Sequence, residues 1–137
     1  QQRIDGDTRL AGRVGLLGRV EHAQVETLMR AADMFVAGSL REGCGYAALE
    51  AFACGAMPVL TDIPAFRTLT DGGRVGALWP CSDSDALAAA LVHAATDRPS
   101  RTHVRAHFDE HLSFTAVGQR WARAYAQVST GTGGRSA

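Results

Sequence analysis

The chain has 137 residues, 46% of them apolar and 20% charged, and its 14 basic residues, all arginine, balance 14 acidic ones to zero net charge. That length allows one domain at most, with apolar residues enough for a core and too few charges for wholesale disorder. Nothing in this charge balance points to a nucleic-acid footprint or a polybasic membrane patch.

Residues Gln1 to Gly12 are polar and irregular, and Arg13-Val14-Gly15-Leu16-Leu17-Gly18 reads as a short strand ending in glycine. His22 to Ala32 is predicted helical, with Val25, Leu28, Met29 and Ala32 on one face and Glu26–Arg30 as an i,i+4 pair. Asp33 to Ala37 is the second strand, apolar enough to be buried on both faces. Tyr46 to Cys54 is a helix closed by Gly55, and Met57 to Thr61 the third strand. A short irregular helix over Pro64 to Thr70 leads to the fourth strand, Val75 to Trp79, stopped by Pro80. Ser82 to Thr96 is a helix with Ser82 and Ser84 as candidate caps. After a break at Asp97-Arg98-Pro99-Ser100, Arg101 to His111 is a polar helix, and Phe114 to Val128 an amphipathic one with Val117, Trp121, Ala124, Tyr125 and Val128 on one stripe. Ser129 to Ala137, rich in Gly, Ser and Thr, reads as a disordered tail.

Short apolar strands alternating with helices predict an α/β domain with a short parallel sheet of about four strands, flanking helices and a helical C-terminal segment. In such sheets ligands gather beyond the carboxyl ends of the strands. The cysteines Cys44, Cys54 and Cys81 are odd in number and lack Cys-x-x-Cys spacing, so neither a disulfide framework nor a zinc site is indicated. They read as reduced thiols of a cytoplasmic protein. No signal peptide is visible, and no apolar run approaches the ~20 residues that span a bilayer.

One stretch carries the chemistry: the loop from Ser39 through Glu42-Gly43-Cys44-Gly45, and the helix from Tyr46 that holds Glu50 among Ala47, Ala48, Leu49, Ala51 and Phe52. Gly43 and Gly45 let the backbone approach a ligand, and a helix N-terminus offers free N–H groups to phosphate. Glu42 stands beside that N-terminus and Glu50 one to two turns into the helix. In a helix of such apolar composition Glu50 either faces the surface or meets hydroxyls or positive charge there, because a buried unpaired carboxylate is costly. Two acids flanking an anion-binding helix end suit an elongated ligand with a charged middle and hydroxyls at both ends, which describes a nucleotide sugar.

The run from Gly18 to Pro80 resembles the donor-binding half of the retaining GT-B-fold glycosyltransferases. The matching words are Leu17-Gly18-Arg19-Val20, Ala31-Ala32-Asp33-Met34-Phe35-Val36, Ser39 with Glu42-Gly43-Cys44-Gly45, Leu49-Glu50-Ala51-Phe52-Ala53-Cys54-Gly55, Pro58-Val59 and Asp71-Gly72-Gly73. The Glu-x7-Glu spacing of Glu42 and Glu50 is diagnostic only inside that run. The resemblance implies a Rossmann-like GT-B C-terminal domain over residues 1–128, incomplete because the opening strands, a basic Arg/Lys pair and the acceptor-binding N-terminal domain are not in this sequence. It implies that Glu50 accepts from ribose hydroxyls and that Glu42, the catalytic candidate, contacts hydroxyls of the donor sugar. Gly43, Cys44, Gly45 and Tyr46 act through backbone N–H groups on sugar and diphosphate, and Arg19 and Val20 meet the base. Cys44 and Arg67 depart from the family, which usually has an aromatic residue and a glutamate at those places. The donor is the only small molecule implied; no cofactor or metal is needed.

The expected function is therefore the nucleotide-sugar-binding part of an enzyme that moves a hexosyl unit to an acceptor hydroxyl, inactive alone. The alternative is a non-catalytic module that completes a separately encoded partner. A receiver-like or flavodoxin-like domain would show an acidic cluster at a strand end or a flavin loop, and neither is present. His103, His107 and His111 fall at i, i+4 and i+8 and read as an exposed polar ridge rather than a metal site, and the Trp121–Tyr125 stripe as core packing. A parallel sheet without its leading strands is expected to associate through its open edge.

Overall fold

The sheet is organised on one strand whose residues are all buried, Met57-Pro58-Val59-Leu60-Thr61. In this computed structural model, which describes residue 4 and residues 6–131 (for 130 and 131 the backbone alone), it is the centre of three parallel strands. We number them β1 (Met34–Ala37), β2 (Met57–Thr61) and β3 (Ala77–Trp79), with Met34 opposite Met57 and Thr61 opposite Trp79. The helices are α1 (His22–Ala31), α2 (Tyr46–Ala53), α3 (Pro64–Leu69), α4 (Ser84–Thr96), α5 (Arg101–His107) and α6 (Phe114–Gly131), with a π-helical turn over Phe108–Leu112.

Alternation along β2 divides the core. Leu60 joins Phe52 of α2, Phe66 and Leu69 of α3 and Val104 of α5 on one face of the sheet. Met57 and Val59 join Trp79 and Ala94 of α4 on the other. Local chemistry caps helix starts. Ser100 accepts from the His103 N–H, and Asp83, rather than its serine neighbours, accepts from Ala86 N–H at 2.8 Å and begins α4.

The expected first strand, residues 13–18, does not form. Residues 14–18 join no strand, and Val14, Leu16 and Leu17 are exposed. A strand exists only through a neighbour's backbone, and none of the described strands lies beside this segment. β1 is likewise not buried on both faces: it is the edge, and Val36 is exposed. β3 starts two residues later than expected. Pro58 turns its carbonyl towards Gly76 and has no N–H to offer, so the ladder begins at Val59–Ala77.

The expected single helix over Arg101–His111 breaks into α5 and the π-helical turn, where the Ser113 N–H reaches back to Phe108 O. His107 is buried, its Nε2 is 2.8 Å from Leu69 O, and its ring lies 5.5 Å from Phe52 and 5.0 Å from His111. The exposed-ridge reading thus fails for His107, which ties α5 to α3. The core reading fails for α6: Trp121 and Tyr125 pack on each other at 5.9 Å and stay exposed, as does Phe114. α6 also continues through Ser129 to Gly131; the rest of the predicted tail lies outside the described residues.

α5 is fastened by arginine. Arg101 donates to Ala32 O (2.7 Å), Arg30 O (2.6 Å) and Cys54 O (3.1 Å), and Arg105 to Ala53 O at 2.8 Å. These carbonyls are the C-terminal ends of α1 and α2, where cations are favoured. Replacing Arg101 by alanine strips three acceptors of a charged donor; about 2 kcal/mol of stability is lost and the melting temperature falls by about 6–10 °C. Lysine, a point donor, recovers less than half of this in a thermal melt.

Candidate functional site

Arg101 gathers the C-terminal ends of α1 and α2. The loop that leads into α2 leaves the C-terminal end of β1, the side where ligands collect in a parallel sheet.

The loop between β1 and α2 is held from below. Thr61, fully buried at the end of β2, donates its hydroxyl to the Ser39 carbonyl. Trp79 braces Gly38, where a Cβ would sit 3.5 Å from the indole. Neither contact was foreseen from sequence, since each joins loop to strand across many residues. Within the loop the Glu42 carboxylate accepts the Gly43 N–H at 3.2 Å and the Ser39 hydroxyl at 3.5 Å.

Gly45 is required on two grounds. It is the N-cap of α2 at φ +69°, and a Cβ there would come within 3.1 Å of Leu69 and 3.2 Å of Phe66. No side chain caps this helix, so its first N–H groups face the loop with no side-chain acceptor. Ala48, Ala51 and Phe52 form the buried face of α2, and Tyr46, Ala47 and Glu50 the exposed one. Of the two alternatives for Glu50, the surface one holds. Neither Glu42 nor Glu50 has an ion-pair partner among the described residues.

Glu50 borders two hollows. One, of about 190 Å³, lies between α1 and α2 and includes His22, Glu26, Arg30 and Arg105. The other, of about 350 Å³, lies between α2, the π-helical turn and the start of α6, and Cys44, Tyr46 and Glu50 line it together with Phe108 and Val117. The structure thus gathers Glu42, Gly43, Cys44, Gly45, Tyr46 and Glu50 around one helix end. Arg19, exposed, and Val20, half-buried, precede α1 and line neither hollow. His22, one turn of chain further on, does line the first; its place at the start of a helix after Arg19-Val20 was the available signal.

Arg67 is engaged with Asp62 in the loop after β2 through a two-pronged ion pair. That pairing holds the Asp62 carboxyl below its ordinary value of 3.8, as Arg74 does for Asp71. Cys44, Cys54 and Cys81 are free thiols. Among the described residues no three His, Cys, Asp or Glu side chains gather where they could hold a metal, and no helix is long and apolar enough to cross a membrane.

Residues 1–97 match the family described as glycosyl transferases group 1. The chain belongs to the group 1 glycosyltransferases. It is 35% identical over 124 residues to a phosphatidyl-myo-inositol mannosyltransferase of Mycolicibacterium smegmatis, covering 88% of this chain and 32% of that protein. It is 35% identical over 121 residues to a lipopolysaccharide core biosynthesis mannosyltransferase of Rhizobium meliloti, covering 87% and 34%. The fold of this glycosyltransferase domain superposes on sucrose-phosphate synthase from Thermosynechococcus elongatus with a TM-score of 0.74 at 23% identity, over 95% of this chain and 34% of that one. It is a GT-B C-terminal, Rossmann-like domain. The chain spans about a third of the length of each of these relatives.

Proposed function

We propose that this domain binds the nucleotide-sugar donor of a retaining glycosyltransferase that passes a hexosyl unit, mannosyl in the first instance, to an acceptor hydroxyl. The observation that carries this is the uncapped N-terminus of α2 with Glu42 on its loop side and Glu50 on its exposed face. The donor's diphosphate takes the free N–H groups and the positive end of the helix dipole. Glu50 accepts from the ribose hydroxyls, with the hollow between α1 and α2 beside it, and Arg19 and Val20 meet the base from the start of α1. Glu42, already oriented by Gly43 and Ser39, accepts from the sugar's hydroxyls and so fixes its reacting face. Gly43, Cys44, Gly45 and Tyr46 contribute backbone N–H groups.

Charge develops on the departing diphosphate, and donors aimed at it lower the barrier, each well-placed one by about 3 kcal/mol. The leaving group then helps deprotonate the incoming hydroxyl on the same face of the sugar, which gives retention. This reading places donor binding in the cytoplasm, with an acceptor-binding domain as partner. The mannosyl choice rests on the relatives, which are named as mannosyltransferases.

Calorimetric titration with a panel of nucleoside-diphosphate sugars tests the binding role; no heat from any of them, on folded protein, refutes it. The chain alone is expected to turn over no donor, because the helix end and two carboxylates supply neither a cation for the diphosphate nor a seat for the acceptor. Product from a radiolabelled donor and this chain alone would overturn that expectation.

A further inference from the structure

The stretch from Gly38 to Cys44 carries Glu42 between β1 and α2, and among the described residues none of its backbone groups bonds to another backbone group. Both oxygens of Glu42 are engaged inside the loop, Oε1 by the Gly43 N–H and Oε2 by the Ser39 hydroxyl. Their direction therefore depends on where Ser39 sits. Among the described residues a single hydrogen bond ties this loop to the sheet, and it ends on Ser39: the buried hydroxyl of Thr61 donates to the Ser39 carbonyl. Trp79, opposite Thr61 in the ladder, reaches across β2 to lie against Gly38. It holds the loop by packing alone, since its Nε1 is buried without an acceptor among the described residues. Packing limits how close the loop comes; only a directed bond fixes how it is turned.

Ser39 thus joins two bonds in series, its carbonyl held by the central strand and its hydroxyl holding the acid. We propose that Thr61 is a positioning residue: acting through Ser39, its hydroxyl sets the direction of the Glu42 carboxylate and so the grip on the donor's sugar. The rest of the donor site does not depend on it, because α2 is anchored through Ala48, Ala51 and Phe52. The assignment rests on the donor-binding reading above and adds to it the buried group that decides sugar binding apart from nucleotide binding.

The test titrates wild type, Thr61→Val and Thr61→Ser with the nucleoside-diphosphate sugar of the panel that binds best, and with the same nucleoside diphosphate lacking its sugar. Valine keeps the branched shape and strand preference of threonine, so the melting temperature should hold. In Thr61→Val, affinity for the sugar donor should fall about tenfold, the worth of one charge-assisted hydrogen bond, while the bare diphosphate binds as before. Serine should restore the affinity. In a Glu42→Ala background, Thr61→Val should cost nothing more, because the two changes break one chain of contacts. The Gly43 amide reports on the loop without any donor. Its proton–nitrogen correlation signal should move as acid protonates Glu42, and that response should be largely lost in Thr61→Val and kept in Thr61→Ser. Equal weakening of both ligands, additive losses in the double variant, or an unaltered Gly43 response in Thr61→Val would each overturn the proposal. A wild-type chain that binds no sugar donor, with a Gly43 response that needs Thr61, removes the donor reading and leaves the link from Thr61 to Glu42 standing. Donor binding that Thr61→Val leaves intact removes the link alone.

Discussion

Replacing Glu50 by alanine is expected to weaken nucleotide-sugar binding about a hundredfold, as two charge-assisted hydrogen bonds worth about 1.5 kcal/mol each are lost. Folding should be untouched, because Glu50 is exposed, has no ion-pair partner among the described residues and is replaced by a better helix former. The titration is made beside a thermal melt. Unchanged affinity in a protein that melts normally would remove Glu50 from the site, and with it the main support for the donor reading. Glu50→Gln is the informative companion: it keeps an acceptor but loses the charge, and should fall between wild type and alanine.

Gly76→Ala should abolish the fold. Gly76 has φ +124°, a region that side chains rarely enter, and a Cβ there would sit 2.6 Å from the Pro58 carbonyl oxygen and 2.7 Å from its ring. Neither atom can yield: Pro58 is fully buried in the central strand, between β1 and the start of β3. Backbone strain and overpacking together cost about 4 kcal/mol, close to the whole stability of a marginal domain. The measurement is urea unfolding followed by circular dichroism, with no cooperative transition expected at 25 °C. Gly118→Ala makes the contrast. It lies in the middle of α6 with open space at its Cβ position, and should gain about 0.5–1 kcal/mol. A cooperative transition of wild-type midpoint in Gly76→Ala would show that β3 does not need that close crossing.

Sequence by itself determined what is local. Gly55 announced a helix end because a left-handed residue closes a helix within a few positions of the chain. The glycine-punctuated loop, the helix from Tyr46 and the central strand around Val59 were legible for the same reason, and so was the spacing of Glu42 and Glu50 around one helix end. Tertiary structure alone decided the relations between distant residues. Arg13–Gly18 has the composition of a strand but pairs with none of the described strands, so it is not one. His107 shares its helix face with polar residues, yet the Leu69 carbonyl and the Phe52 ring draw it inside. Trp121 and Tyr125 have the pattern of a core stripe, but burial requires an opposing surface, and α6 finds none there among the described residues. Arg101, in a stretch that reads as a polar helix, turns out to clasp two distant helix ends through three carbonyls. Hydrogen bonds along a helix are set by residues three or four apart, whereas strand pairing, burial and clasping depend on which surfaces the folded chain brings face to face.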